Sequence, residues 1–134
     1  MNSKSKAAIK AKVIPLPFKK ITNQYLQKIA IATQRKVEII DLKRIIYFKA
    51  SSNYTEIHLD NMEMLLASIT LKKFEQKLNP KTFLRIHQGY IVNSNYISAY
   101  LLDSQVVQLT DSLLIPVSRS KRPIITQFIN QITL

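Results

Sequence analysis

The chain has 134 residues and a mass of 15.5 kDa, which suits one domain with a short tail. It contains no cysteine, which excludes a disulfide framework and a thiol nucleophile, and its single glycine, Gly89, excludes glycine-rich phosphate loops. Its 20 Lys and Arg against 8 Asp and Glu give a net charge of +12, so we expect a polyanionic partner.

Hydropathy and charge also limit where the protein acts. No apolar run approaches the roughly 18 residues of a membrane span, and the basic N-terminal residues are not followed by the apolar core of a signal peptide. We therefore expect a cytoplasmic protein with no membrane insertion.

The N-terminal part of the chain differs in composition from the rest. No acidic residue precedes Glu38, and the Pro15-Leu16-Pro17 stretch favours extended backbone. We predict that residues 1–27 form a basic, flexible leader or linker and that residues 28–134 form the folded domain. Contact of the leader with phosphates and simple solvation are both left open.

The folded region begins with short β-rich runs separated by polar turns. Residues 29–32 and 37–40 flank a predicted turn at Gln34-Arg35, and residues 45–48 are apolar on both faces, as is typical of a central strand. Residues 54–59 then alternate between an apolar and a polar face.

The alternation predicts a second hairpin. Residues 62–67 would return beside 54–59 through a turn at Asp60-Asn61, since both residue types tolerate left-handed backbone. His58 falls on the polar face of this alternation, so we interpret it as a solvated strand residue and not as a metal ligand.

A short helix and a meander follow. Thr70 is the predicted N-cap of a helix over residues 71–78, which ends before Pro80. Three further strands are predicted at residues 100–102, 105–110 and 113–117.

A second helix closes the chain. It carries an apolar stripe with Phe128 near its middle, and Pro123 fits its first turn if Ser120 is the N-cap. With Ser118 as the N-cap, Pro123 would remove an intrahelical hydrogen bond, so we favour Ser120.

Catalysis has little support in the residues present. His58 and His87 are far apart in the sequence, no His or acidic pair has the spacing of metal ligands, and no serine has the setting of a nucleophile elbow. We predict a protein that is not an enzyme and needs neither a cofactor nor a metal.

Binding has better support, because basic residues cluster at the start of the last helix. Free N–H groups and the positive end of the helix dipole favour anions there, and three cations add to this: Arg119, Lys121 and Arg122. Smaller basic clusters lie at residues 43–44 and 72–81. Two polar segments, residues 50–54 and 85–93, offer further hydrogen-bonding groups, including Gln88, whose amide can pair with an adenine edge.

An ordered series of motifs resembles the LytTR domain, the DNA-binding module of many bacterial response regulators. The resemblance covers residues 28–134 and rests on DLKRIIYF at 41–48, SNY at 52–54 before IHL at 57–59, SITLKKFE at 68–75, FLRIHQGYIVN at 83–93 with Ile97, and IPVSR at 115–119. It implies a mainly β fold: an elongated stack of small antiparallel sheets with one short helix and a C-terminal helix.

The resemblance also implies a function. LytTR domains read double-stranded DNA through loops that enter successive major grooves, so the chain is expected to be a sequence-specific transcriptional regulator of the two-component, response-regulator kind, here without a receiver domain. The matching positions imply DNA contacts by Ser52, Asn53, Tyr54, His87, Gln88, Arg119, Lys121 and Arg122. They imply loop support by Arg85, Tyr90 and Asn93. Family members often have a small polar or basic residue where this chain has Gln88 and Gly89.

Further expectations concern partners. The family tends to occupy paired direct repeats, which implies two copies per operator, with a dimer that could form only on DNA, and leaves open a regulatory protein partner. The alternative function is an RNA- or ribosome-associated basic β-rich binding protein. That alternative needs exposed aromatic side chains on which bases stack, and only Tyr54 looks free in the sequence.

Overall fold

The computed structural model describes residues 25–110 and 112–134. The predicted leader, apart from its last three residues, lies outside the described residues. Strands in the described part are β1 Lys28–Ala32, β2 Val37–Asp41, β3 Ile45–Ser51, β4 Tyr54–Leu59, β5 Met64–Ala67, β6 Phe83–His87, β7 Tyr90–Asn93, β8 Ile97–Leu101, β9 Val106–Leu109 and β10 Leu114–Pro116. The α-helices are α1 Leu71–Lys77 and α2 Arg122–Ile132, and short 3-10 helices occur at Leu42–Arg44, Ser94–Tyr96 and Arg119–Lys121.

The strands form three antiparallel sheets. The largest has five strands in the order β5-β4-β3-β7-β6, the second is the hairpin β1-β2, and the third is the meander β8-β9-β10. The expected mainly β fold of small antiparallel sheets with one short helix and a C-terminal helix is thus confirmed, as are the central place of β3 and the two predicted hairpins.

The central strand β3 buries side chains on both faces of the five-stranded sheet. Phe48 is fully buried on one face, where its ring lies 4.9 Å from that of Phe74 and 5.9 Å from that of Phe83. Tyr47 is buried on the other face, and its ring stacks on His58 at 4.2 Å. The two faces of the strand contribute to two separate cores: Ile45 and Phe48 belong to the first, and Ile46 and Tyr47 to the second. An irregularity in the register between Ile45 and Tyr47 is consistent with two consecutive residues joining the same core.

Helix α1 and the β1-β2 hairpin cover the first face. The Thr70 hydroxyl accepts a hydrogen bond from the backbone N–H of Lys73 and so caps α1 as predicted. The buried side chains of α1 and of the segment after it are Leu71, Phe74 and Leu78, which join the hairpin isoleucines in one cluster.

The three-stranded sheet and α2 cover the second face. Ile125 of α2 is almost fully buried among Ile86, Val107 and Ile115, and α2 packs against β6. His58 lies half-buried on this face, and its Nε2 lies 2.9 Å from the Glu56 carboxylate. His58 thus lies in a strand as predicted, but it is half-buried against Tyr47 and not solvated as expected.

The β4-β5 turn lies at Asp60-Asn61 as predicted, but two local details differ from the predictions. The left-handed residue of the β4-β5 turn is Met62, with a φ of 69°, while Asp60 bonds to Arg44 and the Asn61 side chain accepts from the N–H of Glu63. The N-cap of α2 is not Ser120, because the chain first winds a 3-10 helix from Ser118, in which Ser120 lies, and α2 begins after Lys121. Pro123 falls in the first turn of α2, as expected.

Asn93 joins β7 to the start of β3. Its side chain is almost fully buried, donates through Nδ2 to the carbonyl of Ile45 at 2.9 Å, and accepts at Oδ1 from the N–H of Asn95 at 3.0 Å. A buried amide with both of its functions satisfied stabilises the fold, because its partners would otherwise lack hydrogen bonds in a region shielded from water.

We expect Asn93→Ala to lower the free energy of unfolding by about 1–3 kcal/mol, because it leaves two polar backbone groups without their partner. Urea denaturation monitored by circular dichroism measures this change. Asn95→Ala is the matched control, since the Asn95 side chain is exposed and its N–H remains. Equal stability of Asn93→Ala and the natural chain would contradict this role.

Candidate nucleic-acid interface

The β3-β4 turn presents the first group of predicted contact residues. Ser52 and Asn53 form this two-residue turn and are exposed, and Ser52 has a φ of 55°. Tyr54 opens β4 opposite Ser51, with 45% of its surface exposed. The turn therefore offers a hydroxyl, an amide and a phenol to solvent, which are all groups that can bond to phosphates or base edges.

The β6-β7 turn presents the second group. Gln88 is exposed at its tip, and the half-buried Arg85 reaches along the strand to bond the turn backbone. Arg85 donates from Nε to the carbonyl of His87 at 3.0 Å and from one terminal nitrogen to the carbonyl of Gln88 at 2.6 Å. The two bonds fix the carbonyls of consecutive turn residues against one planar guanidinium group.

His87 braces the same turn. Its Nδ1 accepts a hydrogen bond from the N–H of Gly89 at 3.0 Å. A neutral imidazole that accepts at Nδ1 carries its proton at Nε2, so the ring retains one donor for another partner. The ring of Tyr90 lies edge-on to that of His87 at 5.6 Å and holds it from the side.

The entry to α2 presents the third group. Arg119 is exposed, while Lys121 and Arg122 are half-buried. The Nε of Arg122 is buried and has no hydrogen-bond partner among the described residues. Arg119 is the most exposed cation of this group.

Backbone hydrogen bonds bring the three groups to one end of the five-stranded sheet. The N–H of Ala50, beside the first turn, donates to the carbonyl of Gly89 in the second turn at 2.9 Å. The N–H of Ser118, before the third group, donates to the carbonyl of Ile86 at 2.9 Å. The order across this end is therefore β3-β4 turn, β6-β7 turn and α2 entry, which we call the reading end.

Charge differs between the two ends of the sheet. At the end opposite the reading end, Arg44 pairs with Asp60 at 3.2 Å and with Glu63 at 4.0 Å. Burial, followed by the nearby Asp60 carboxylate, raises the pKa of the Tyr96 phenol, which donates to the carbonyl of Lys43. Two of the chain's eight carboxylates are thus held away from the reading end.

The predicted loop-supporting residues divide between the two ends. Arg85 and Tyr90 contact the β6-β7 turn. Asn93 does not, because it lies at the far end of β7 and bonds near the start of β3. Glu75 of α1, which no pattern in the sequence marks as functional, accepts a hydrogen bond from Arg85 at 2.6 Å. Only its place in the 68–75 motif could have drawn attention to it.

Other kinds of site are not found in the described part of the chain. There, no group of three or more His, Asp or Glu side chains is placed to hold a metal ion. Neither described helix has the length and apolar character needed to cross a membrane.

Comparison with known families bears directly on this arrangement of turns. The family model for the LytTr DNA-binding domain matches residues 35–130. This chain belongs to the LytTR family. The matched residues include all three groups of the reading end. Each group lies within or overlaps one of the LytTR motifs, which are at residues 52–54, 83–93 and 115–119.

Curated proteins that are similar to this chain come from several bacteria. The heme-containing CO-sensing transcriptional regulator RcoM 2 of Paraburkholderia xenovorans is 33% identical over 100 residues, which are 72% of this chain and 37% of that protein. The transcriptional regulatory protein LytR of Staphylococcus aureus is 28% identical over 97 residues, which are 70% of this chain and 39% of LytR. The chain therefore spans less than half the length of these curated relatives.

A solved LytTr DNA-binding domain from Bacillus cereus has the same fold. The two structures superpose with a TM-score of 0.68 at 20% sequence identity. The superposition covers 78% of this chain and 97% of the solved chain. At this identity, the likeness establishes the fold alone.

Gly89 has an ordinary backbone conformation, so we expect Gly89→Ala to be tolerated in this LytTR chain. No described glycine has a positive φ, and the nearest atom to an added Cβ would be Nδ1 of His87 at 3.6 Å, an ordinary contact. The substitution should raise the free energy of unfolding by about 0.4–1 kcal/mol, because alanine restricts the unfolded chain. Urea denaturation tests this, and a loss of stability would show that the turn needs glycine.

Proposed function

We propose that this chain is a sequence-specific, double-stranded DNA-binding module of a transcriptional regulator. The observation that carries the proposal is the reading end itself: three polar or basic groups, from distant parts of a LytTR domain, held side by side by backbone hydrogen bonds. The names of the relatives RcoM 2 and LytR, both transcriptional regulators, support the same role. Because DNA is the target, we place the protein in the bacterial cytoplasm.

Affinity comes first from charge. The chain has a net charge of +12. When its Lys and Arg side chains neutralise DNA phosphates, the counterions condensed on the DNA are released, and this release favours binding. This contribution does not depend on sequence and weakens steeply with salt. It brings the reading end to the duplex but cannot select a site.

Selection comes from base contacts in successive major grooves. In the proposal, Asn53 and Gln88 pair with adenine edges and Arg119 pairs with the two acceptors of guanine, as the geometry of these side chains allows. Nε2 of His87 donates to a base or phosphate acceptor. Ser52, Tyr54, Lys121 and Arg122 contribute contacts that position the domain on the backbone.

Support of the reading end is divided among the remaining residues. Arg85 and Tyr90 hold the β6-β7 turn through the contacts described above. Asn93 acts at the opposite end of the sheet and contributes to stability, so we do not place it among the residues that support the turn.

Two copies of the domain would occupy paired direct repeats, with some bending of the DNA between them. The two copies could form a dimer only when both are bound to DNA. The signal would reach the domain through another protein or domain of the response-regulator type.

Binding to single-stranded RNA is less well supported. RNA readers of this kind stack bases on aromatic side chains at a sheet surface. Among the described residues, Tyr54 is the one aromatic residue that is exposed rather than buried or half-buried, with 45% of its surface accessible. One such ring does not form a stacking platform.

Selection of bound duplexes from a random pool tests the proposal. We expect a pair of short repeats spaced by about one helical turn. A salt titration of the selected duplex against a scrambled duplex then separates specific from electrostatic binding. Equal affinity for both duplexes at every salt concentration would contradict the proposal.

Arg119→Ala should weaken binding to the selected duplex by roughly 1–3 kcal/mol and flatten base preference at one position of each repeat. Arg35→Ala is the matched control, because it removes the same charge from an exposed residue in the β1-β2 turn. Fluorescence anisotropy with a set of single-base variants measures both effects. An unchanged preference profile in Arg119→Ala would exclude this residue from base recognition.

A further inference from the structure

We propose that Glu75 is a positioning residue that keeps Arg85 on the β6-β7 turn and away from DNA phosphates, and that it thereby sets base discrimination at that turn. The inference rests on the proposed function, because it assigns the residue that shapes one of its three contact groups. Glu75 belongs to α1, an element that contributes none of the predicted DNA contacts.

The geometry is a chain of charged and backbone contacts. A terminal nitrogen of Arg85 lies 2.6 Å from Oε1 of Glu75, while its Nε and its other terminal nitrogen donate to the carbonyls of His87 and Gln88. All three nitrogens of the guanidinium group are therefore occupied. Because this group is planar and rigid, fixing one edge on Glu75 fixes the direction of the other donors.

Burial of the arginine strengthens this arrangement. The Arg85 side chain is 16% exposed, against 43% for that of Glu75, so the cation lies in the partly shielded space between α1 and β6. An arginine in such a place needs a partner for its charge, because a partly buried charge without compensation is costly. Glu75 is the carboxylate that meets this requirement in the described structure.

A carboxylate beside a DNA-binding surface has an electrostatic cost for affinity, since it repels the phosphates. Its presence next to the β6-β7 turn is explained if it prevents a competing state. Without Glu75, the guanidinium could rotate toward a phosphate, which binds arginine in the same forked manner. The carbonyls of His87 and Gln88 would then lose their donors, and the turn that presents Gln88 would lose its fixed shape.

The Glu75 carboxylate is thus expected to lower affinity for DNA of any sequence and to raise discrimination between bases at one position. A chain without the Glu75 carboxylate should bind DNA of any sequence at least as well as the natural chain. It should discriminate less at the one base position read by the β6-β7 turn, while the positions read by Asn53 and Arg119 keep their preference.

The first experiment compares Glu75→Gln with Glu63→Gln. Both remove one negative charge, but Glu63 is exposed at the opposite end of the sheet and pairs with Arg44. Anisotropy titrations against single-base variants of the selected duplex should show discrimination at the Gln88 position reduced between about twofold and tenfold in Glu75→Gln only. Gln88→Ala identifies that position independently.

The second experiment needs no DNA. Gly89 is the single glycine of the chain, and its N–H donates to Nδ1 of His87 while its carbonyl accepts from Ala50. Its amide resonance in a ¹⁵N-correlated NMR spectrum therefore reports on the turn. We expect this resonance to move or broaden in Glu75→Gln and to stay in place in Glu63→Gln, with both variants folded by circular dichroism.

The outcomes separate the inference from the function on which it rests. An unmoved Gly89 resonance together with an unchanged base profile in Glu75→Gln would overturn the inference and leave specific DNA binding intact. Loss of preference at every base position would also overturn it, because it would mean general damage. If the natural chain selects no duplex, the proposed function fails, and the Gly89 resonance alone then decides whether Glu75 shapes the turn.

Discussion

Burial of β3 on both of its faces is the constraint on which the rest of the structure depends. Phe48 faces α1 and the β1-β2 hairpin, while Tyr47 lies on the opposite face, which the three-stranded sheet and α2 cover. Burying a side chain of this size contributes about 1.5–3 kcal/mol, against about 0.5–1.5 kcal/mol net for one hydrogen bond. Packing on the two faces therefore fixes where the strands lie, and the turn contacts refine that placement.

The reading end follows from this packing. Because β3 and β7 are antiparallel neighbours, the end of β3 and the start of β7 meet, and the two turns beside them meet as well. Because Ile125 anchors α2 in the second core, the segment before α2 is held next to Ile86. Three chain segments distant in sequence thus share one surface. Arg85 and Glu75 then adjust one turn within that frame.

Much of this could be predicted from the sequence. The alternation at residues 54–59 and the run at 45–48, apolar on both faces, predict two strands of the sheet, because successive side chains of a strand point to opposite faces. Thr70 could also be predicted as a helix cap. The left-handed Met62 and the 3-10 helix before α2 were not predicted. Long-range bonds lie beside both of them, from Arg44 to Asp60 and from Ser118 to Ile86, and periodicity and propensity carry no information about such bonds. The role of Glu75 was equally hidden, since nothing in the sequence shows that α1 brings it to Arg85.

The central claim is that the three groups of the reading end act together on one duplex. A titration of ¹⁵N-labelled protein with the selected duplex, followed by NMR, tests it most directly. The account predicts that amide shifts concentrate at residues 52–54, 87–90 and 118–122 and saturate at the same DNA concentration, while residues 60–63 at the opposite end stay unchanged. Shifts centred on residues 60–63 or on the β1-β2 hairpin, or saturation of the three groups at different concentrations, would contradict it.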